Sequence, residues 1–158
     1  MSKGYPIGER SPDQQESTGE PLWLTTDPDL IDWVRVLELL TDTSWGDDYG
    51  PGDVKLRQMN TRLHLAGFVI GELKDTLVCY LRVVTDDTTV AYLADVVVDP
   101  AFRGKGIGTM LVQTALDMKP RCDWLLHTVD AHAFYEKLGF ERRGELLMER
   151  RRKRGHQS

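Results

Sequence analysis

The segment Arg103-Gly104-Lys105-Gly106-Ile107-Gly108-Thr109 alternates glycine with charged and aliphatic residues, directly behind Asp95-Val96-Val97-Val98-Asp99-Pro100. A strand that turns into a helix here offers free backbone N–H groups and the positive end of the macrodipole, which suit a phosphate. Glycines remove the Cβ atoms that would hold a pyrophosphate away, and Arg103 and Lys105 add fixed positive charge. Two familiar phosphate loops are excluded by spacing. A Walker loop needs Gly-Lys-Ser/Thr, which Gly104-Lys105-Gly106 does not supply. The dinucleotide fingerprint needs a third glycine where Thr109 or Leu111 stands. What remains is Arg103-x-x-Gly106-x-Gly108. For proton transfer, His127 and His132 have the ordinary pKa of a base, and the Tyr135 phenol, of ordinary pKa about 10, is a donor at neutral pH.

The elements that must position these groups follow from pattern. Residues 1–20, rich in Ser, Pro, Gly and Glu, read as a flexible lead-in. A helix starts on Asp27 or Asp29, with Leu30, Val34, Leu37 and Thr41 on one face and Ile31 and Leu40 beside it. A loop from Ser44 to Gly52 leads to a short helix near 53–62. Strands are expected over Leu63 to Ile70, Thr76 to Val84 and Thr89 to Val98. Arg103 opens a long helix with Ile107, Met110, Leu111, Ala115 and Met118 as its buried stripe, and Pro120 stops it. Asp123 to Val129 reads as a further strand. Asp130 caps a short helix that ends at Gly139, and Glu145 to Glu149 reads as a last strand. Asp99 reads as a turn cap before Pro100. Cys79, mid-strand among apolar neighbours, reads as a buried small residue.

A second signature lies beyond the glycines: Asp130-Ala131-His132-Ala133-Phe134-Tyr135-Glu136-Lys137-Leu138-Gly139-Phe140. Together the two motifs resemble the GNAT superfamily of N-acetyltransferases. Its acetyl-CoA site is a Gln/Arg-x-x-Gly-x-Gly/Ala motif after a Val-rich strand, and its later motif sets a Phe-Tyr pair on a short helix ending in Gly-Phe. The resemblance covers roughly residues 21–150. It implies an α/β (α+β) fold, a single mixed, mostly antiparallel twisted sheet with helices on both faces. It also implies acetyl transfer from acetyl-CoA to a primary amine in a ternary complex. The backbone of Val96, Val97 and Val98 would meet the pantetheine arm, and residues Arg103, Gly104, Lys105, Gly106, Ile107, Gly108 and Thr109 the pyrophosphate. Tyr135 is implied as general acid and Asp95 as a base or an orienting group. Asp130 is implied as a substrate contact, with Trp45 and Tyr49 lining the acceptor pocket. Tyr92 stands where some relatives carry a catalytic Glu, which leaves the base open.

Composition bounds the alternatives. The chain has 158 residues, 41% hydrophobic and 28% charged, which suits one globular domain. Its formal charge is −5; residues 147–158 carry +4, leaving −9 on the body. An acidic body argues against a nucleic-acid face, and residues 151–158 read as a solvated basic tail. No membrane span or leader is read, and two cysteines make no disulfide framework, so a cytoplasmic protein is expected. The four histidines share no ligand spacing, so no metal is expected. The partner read is a small-molecule amine, with a homodimer open through the last strand. The alternatives are an amine on protein or tRNA, or a non-catalytic acyl-CoA sensor.

Overall fold

The computed structural model describes residues 21–43 and 50–150. Runs rich in Leu, Val and Tyr form five strands: β1 (Leu22–Thr25), β2 (Leu63–Val69), β3 (Thr76–Thr85), β4 (Val90–Val98) and β5 (Asp123–Leu125). They pair in chain order, antiparallel except for β4 with β5. The helices are α1 (Trp33–Thr41), α2 (Pro51–Asn60), α3 (Ile107–Met118) and α4 (His132–Glu136). A parallel pair cannot be joined by a tight turn, and α3 is the crossover between β4 and β5. The expected mixed, mostly antiparallel sheet with helices on both faces is what forms. No helix among the described residues is long and apolar enough to cross a membrane.

Two apolar layers sandwich the sheet. Ile107, Leu111 and Ala115 of α3 pack on Leu65, Val78, Leu81, Val83 and Leu93. On the other face Val36, Leu39 and Leu40 of α1 pack on Ala66, Leu77, Tyr80 and Val97. Strand alternation alone would not give these partners. The register runs Tyr80↔Val97 and then Arg82↔Ala94, so Leu81 faces two residues, Asp95 and Val96. That extra residue bulges β4, and Asp95 takes a left-handed φ of 55° to make it. The bulge reverses the alternation: Val97 joins the α1 layer, while Val96 and Val98 pack toward α3.

Several expectations are corrected. β1 was not read from sequence: its four residues, Leu-Trp-Leu-Thr, follow Pro21 and are too short for a clear period. The first helix is broken, a 3₁₀ turn at Pro28–Leu30 followed by α1, because the Asp32 side chain caps Arg35 N–H and restarts the helix. The buried face is therefore Val36, Leu39 and Leu40, and Leu30 and Val34 are exposed. The long helix starts at Ile107 rather than Arg103, since Gly104 and Gly106 both hold positive φ. β5 stops at Leu125, where it leaves β4. Glu145 to Glu149 is not a strand: Leu146 N–H closes a turn on Arg143 C=O, and Leu146-Leu147-Met148 has no period-2 alternation. Asp130 does not cap α4; the Thr128 hydroxyl accepts from Ala131 N–H instead. Gly139 does hold the left-handed position expected past the helix end, at φ 89°. Residues 1–20 and 151–158 lie outside the described residues.

Candidate active site

The last pairing between β4 and β5 is Tyr92↔Leu125. Beyond it the strands part, and a cleft of about 580 Å³ opens along Val96, Val97 and Val98. One wall is Phe102, Arg103, Gly104, Gly106 and the first turn of α3 through Thr109; the other is Asp130, Ala131, Phe134 and Tyr135. Asp42 and Thr43, after α1, close the rim.

The glycine wall has a backbone reason. Gly106 caps α3 at φ 77° and Gly104 lies at φ 76°, where an L-residue would cost about 1–2 kcal/mol. The cap has no side-chain hydrogen bond, so the N–H groups of the first turn remain available to an anion in the cleft. A Cβ on Gly108 would come nearest to Phe134 at 3.5 Å and Val98 at 3.6 Å, ordinary contacts at the cleft wall. Arg103 Nε donates to Val98 C=O at 3.2 Å, which ties the loop to the strand end. Asp99 caps the 3₁₀ turn Pro100–Phe102 through Ala101 N–H and ion-pairs with Arg35, so α1 is fastened to the same point. Lys105 does not line the cleft; its ammonium lies 5.7 Å from the centre of the Phe102 ring. Ile107 contributes backbone only, its side chain being core.

On the facing wall, the Tyr135 ring packs edge-on to Phe134 and Phe140, at 4.9 and 5.7 Å between centres. Burial pushes its phenol up to about 12. A hydroxyl so placed stays protonated at neutral pH and is available as a donor to a group in the cleft.

The other face of β4 carries polar groups. Asp95 Oδ2 accepts from Arg82 Nε and lies 3.7 Å from Arg57 Nη1, with its side chain 6% exposed. Asp95 is therefore not among the groups lining the cleft. The Tyr92 hydroxyl is 2.6 Å from His127 Nδ1. His64 is buried between Tyr80, whose hydroxyl is 2.7 Å from Nδ1, and Gln58 C=O, 3.2 Å from Nε2. A carbonyl only accepts, so Nε2 holds the ring proton and the Tyr80 hydroxyl donates to Nδ1.

Known proteins agree with this geometry. The model of the acetyltransferase (GNAT) family matches residues 33–140. The chain belongs to that family. A GNAT-family protein of Xanthomonas campestris pv. campestris is 33% identical, with 82% of this chain and 92% of that one aligned at a TM-score of 0.70. Aminoglycoside 6′-acetyltransferase type Ii is 25% identical over 75% of this chain and 82% of its own, at 0.59. Glucosamine-6-phosphate N-acetyltransferase from Arabidopsis thaliana, 19% identical over 82% and 97%, shares the fold at 0.53. A sequence comparison with curated proteins returns no match.

The acetyltransferase thus gathers Val96, Val97, Val98, Arg103, Gly104, Gly106, Ile107, Gly108, Thr109, Asp130 and Tyr135 around one cleft. Asp95 and Lys105 lie outside it, and Trp45 and Tyr49 fall outside the described residues. Sequence reasoning missed Asp42 and Thr43 at the rim, and Arg57 and Arg82 at Asp95. Arg82 did leave a signal, a lone cation inside Val78-Cys79-Tyr80-Leu81-Arg82-Val83-Val84.

Proposed function

We propose that this acetyltransferase moves an acetyl group from acetyl-CoA to the primary amine of a small cytoplasmic molecule, by direct attack in a ternary complex. The observation that carries the reading is the cleft itself. Glycine-bounded N–H groups of α3 and the cation of Arg103 stand on one wall, and a protonated Tyr135 on the other. The N–H groups of residues 106–109 would hold the pyrophosphate, and the free edge of Val96–Val98 the pantetheine amides. Amine nitrogen attacks the thioester carbon, the C–N bond forms as the C–S bond breaks, and Tyr135 gives its proton to the departing thiolate. Asp95 serves as a positioning residue here, because its Oδ2 is committed to Arg57 and Arg82. Aminoglycoside acetylation by a 25% identical relative favours a small-molecule amine. Asp130, at the mouth of the α4 wall, and Trp45 and Tyr49 from the loop after α1 are read as acceptor contacts.

The test has two arms. Calorimetry should give saturable acetyl-CoA binding, and a thiol reagent should report CoA release when benzylamine, spermidine or tyramine is added. Binding without amine-dependent release would leave an acyl-CoA-binding module instead.

A further inference from the structure

Tyr135 sits where it can protonate a leaving group, and Asp95 is held by two guanidiniums, so the group that takes the amine's proton must be sought elsewhere. The acceptor must reach the thioester from the sheet face opposite α3, because the α3 face is closed core.

Register decides which side chains look onto that face. Tyr92 and Leu125 are parallel partners and so point to one side. Trp124 and Leu126 pack into the α3 layer, which leaves Leu125 and His127 directed to the opposite face. His127 lies two residues past the last β4–β5 pair, beyond the point where the strands part, and reaches back to β4 through the Tyr92 side chain. The 2.6 Å contact between His127 Nδ1 and the Tyr92 hydroxyl fixes the ring beside the last β4–β5 pair, with the rings 5.6 Å apart at 44°. His127 is exposed, so a proton taken there can pass on to water.

We propose that His127 is the general base of this acetyltransferase, with Tyr92 as the positioning residue that holds Nδ1 and leaves Nε2 to the incoming amine. The proposal rests on the acetyl-transfer reading above. Nδ1–H donates to the Tyr92 oxygen, and Nε2 accepts a proton from the ammonium form of the substrate. The free amine then attacks the thioester carbon; C–N forms, C–S breaks, Tyr135 supplies the thiol proton, and the proton lost from the acetylated nitrogen returns to Tyr135. One proton remains on His127 and leaves to solvent, so the sum is ammonium and thioester to amide, thiol and one proton. Charged groups bearing on the Tyr92 hydroxyl are Arg82 from β3, Asp95 from β4 and Glu149 from the C-terminal segment. Burial, the leading cause, raises the Tyr92 phenol above its ordinary value, so it stays a neutral hydrogen-bond partner.

The experiment measures acetyl-CoA affinity and the pH profile of kcat/KM for His127→Gln and Tyr92→Phe, with benzylamine, spermidine and tyramine as acceptors. His127→Gln should bind acetyl-CoA as the parent does and lose about 10²-fold in kcat/KM at neutral pH. That deficit should shrink toward pH ~9–10, because an amine of pKa about 10.4 then arrives increasingly deprotonated. Added imidazole should restore part of the rate. Tyr92→Phe should lose less, roughly 10-fold, with the acid limb displaced rather than abolished. A His127→Gln enzyme within about twofold of the parent, with the same pH profile, overturns the assignment and leaves the transfer reading intact. A parent protein that binds acetyl-CoA but acetylates none of the three amines overturns both.

Discussion

Where β4 parts from β5, the cleft is bounded by backbone and glycine drawn largely from one stretch, residues 96–109. On the α1–α2 face, Arg57, Arg82, Tyr92, Asp95 and His127 arrive from four separate elements or loops and meet through side chains. The first construction depends on local φ values and a helix terminus. It tolerates any neighbour that leaves the glycines bare. The second depends on register: one bulged residue decides which side chains face one another. A cosubstrate common to many enzymes suits the first, and an acceptor that differs between relatives suits the second.

The sharpest way to break this comparison is to charge the glycine wall. Gly108→Asp places a carboxylate in the first turn of α3, where the macrodipole favours it, so the apo fold should be unharmed. The same charge meets the anionic pyrophosphate, and like-charge juxtaposition costs several kcal/mol, or about 10²–10³-fold in acetyl-CoA affinity. Calorimetry and a thermal melt on one sample read both numbers. An affinity within about threefold of the parent would remove the pyrophosphate from this wall.

Tyr135→Phe tests the facing wall. The ring contacts with Phe134 and Phe140 survive, so fold and acetyl-CoA affinity should hold while turnover falls about 10²-fold. Burial holds the phenol at about 12, so the rate of the parent enzyme should show no Tyr135 limb near pH 10. Near-native turnover by the variant, with chemistry rate-limiting, would take Tyr135 out of the mechanism.

These two walls were legible in sequence for the reason that makes them local. Gly106 and Gly108 stand two residues apart after a Val-rich strand, and Phe134-Tyr135 precede Gly139 on one short helix, so adjacency alone carries the chemistry. Most strands were legible too, through runs such as Thr76 to Val84. The illegible parts are those that contacts decide. A bulge at Asp95 has no sequence period, so its carboxylate could be placed near the site but not assigned to Arg57 and Arg82. Whether Glu145 to Glu149 pairs depends on the edge of β5, which is three residues long. Nor does the sequence show Asp32 restarting α1, since Asp27, Asp29 and Asp32 are all acceptable caps.

A third variant asks whether the two faces are energetically separate. Asp95→Asn removes the charge but keeps a residue that tolerates φ 55°. It weakens the ion pairs to two partly exposed guanidiniums, so the loss of stability should be about 2 kcal/mol, below the full cost of breaking a buried pair. Denaturant unfolding measures it. Acetyl-CoA affinity should move by less than about twofold, as expected of sites with no shared partners. A loss comparable to that of Gly108→Asp would show that the bulge, and not the glycines alone, shapes the cosubstrate site.

The smallest effect belongs to His64, which sits on the α1 face of the sheet but, unlike His127, is 2% exposed. Burial lowers its pKa below the ordinary 6.5, only partly offset by the hydrogen bond to Gln58. Between the folded and unfolded pKa values the unfolded chain therefore binds more protons, and stability rises with pH there. The contribution is fully present above pH 6.5 and is lost as pH falls from that value through the folded pKa. Protonation would also put a donor on Nδ1 against the Tyr80 hydroxyl, which must then turn its own hydrogen away. Other groups titrate on acidification, so the informative quantity is a difference between proteins. His64→Gln keeps a polar side chain near Gln58 and Tyr80 but cannot titrate. It should start less stable by about 1–2 kcal/mol, because the geometry of two buried hydrogen bonds is disturbed. On going from pH ~7.5 to ~5.5, however, its melting temperature should fall less than that of the parent. Parallel losses in the two proteins would mean that His64 is not what acid attacks. A gap that closes as pH falls would mark the buried histidine as structural, and so keep proton traffic for the exposed one.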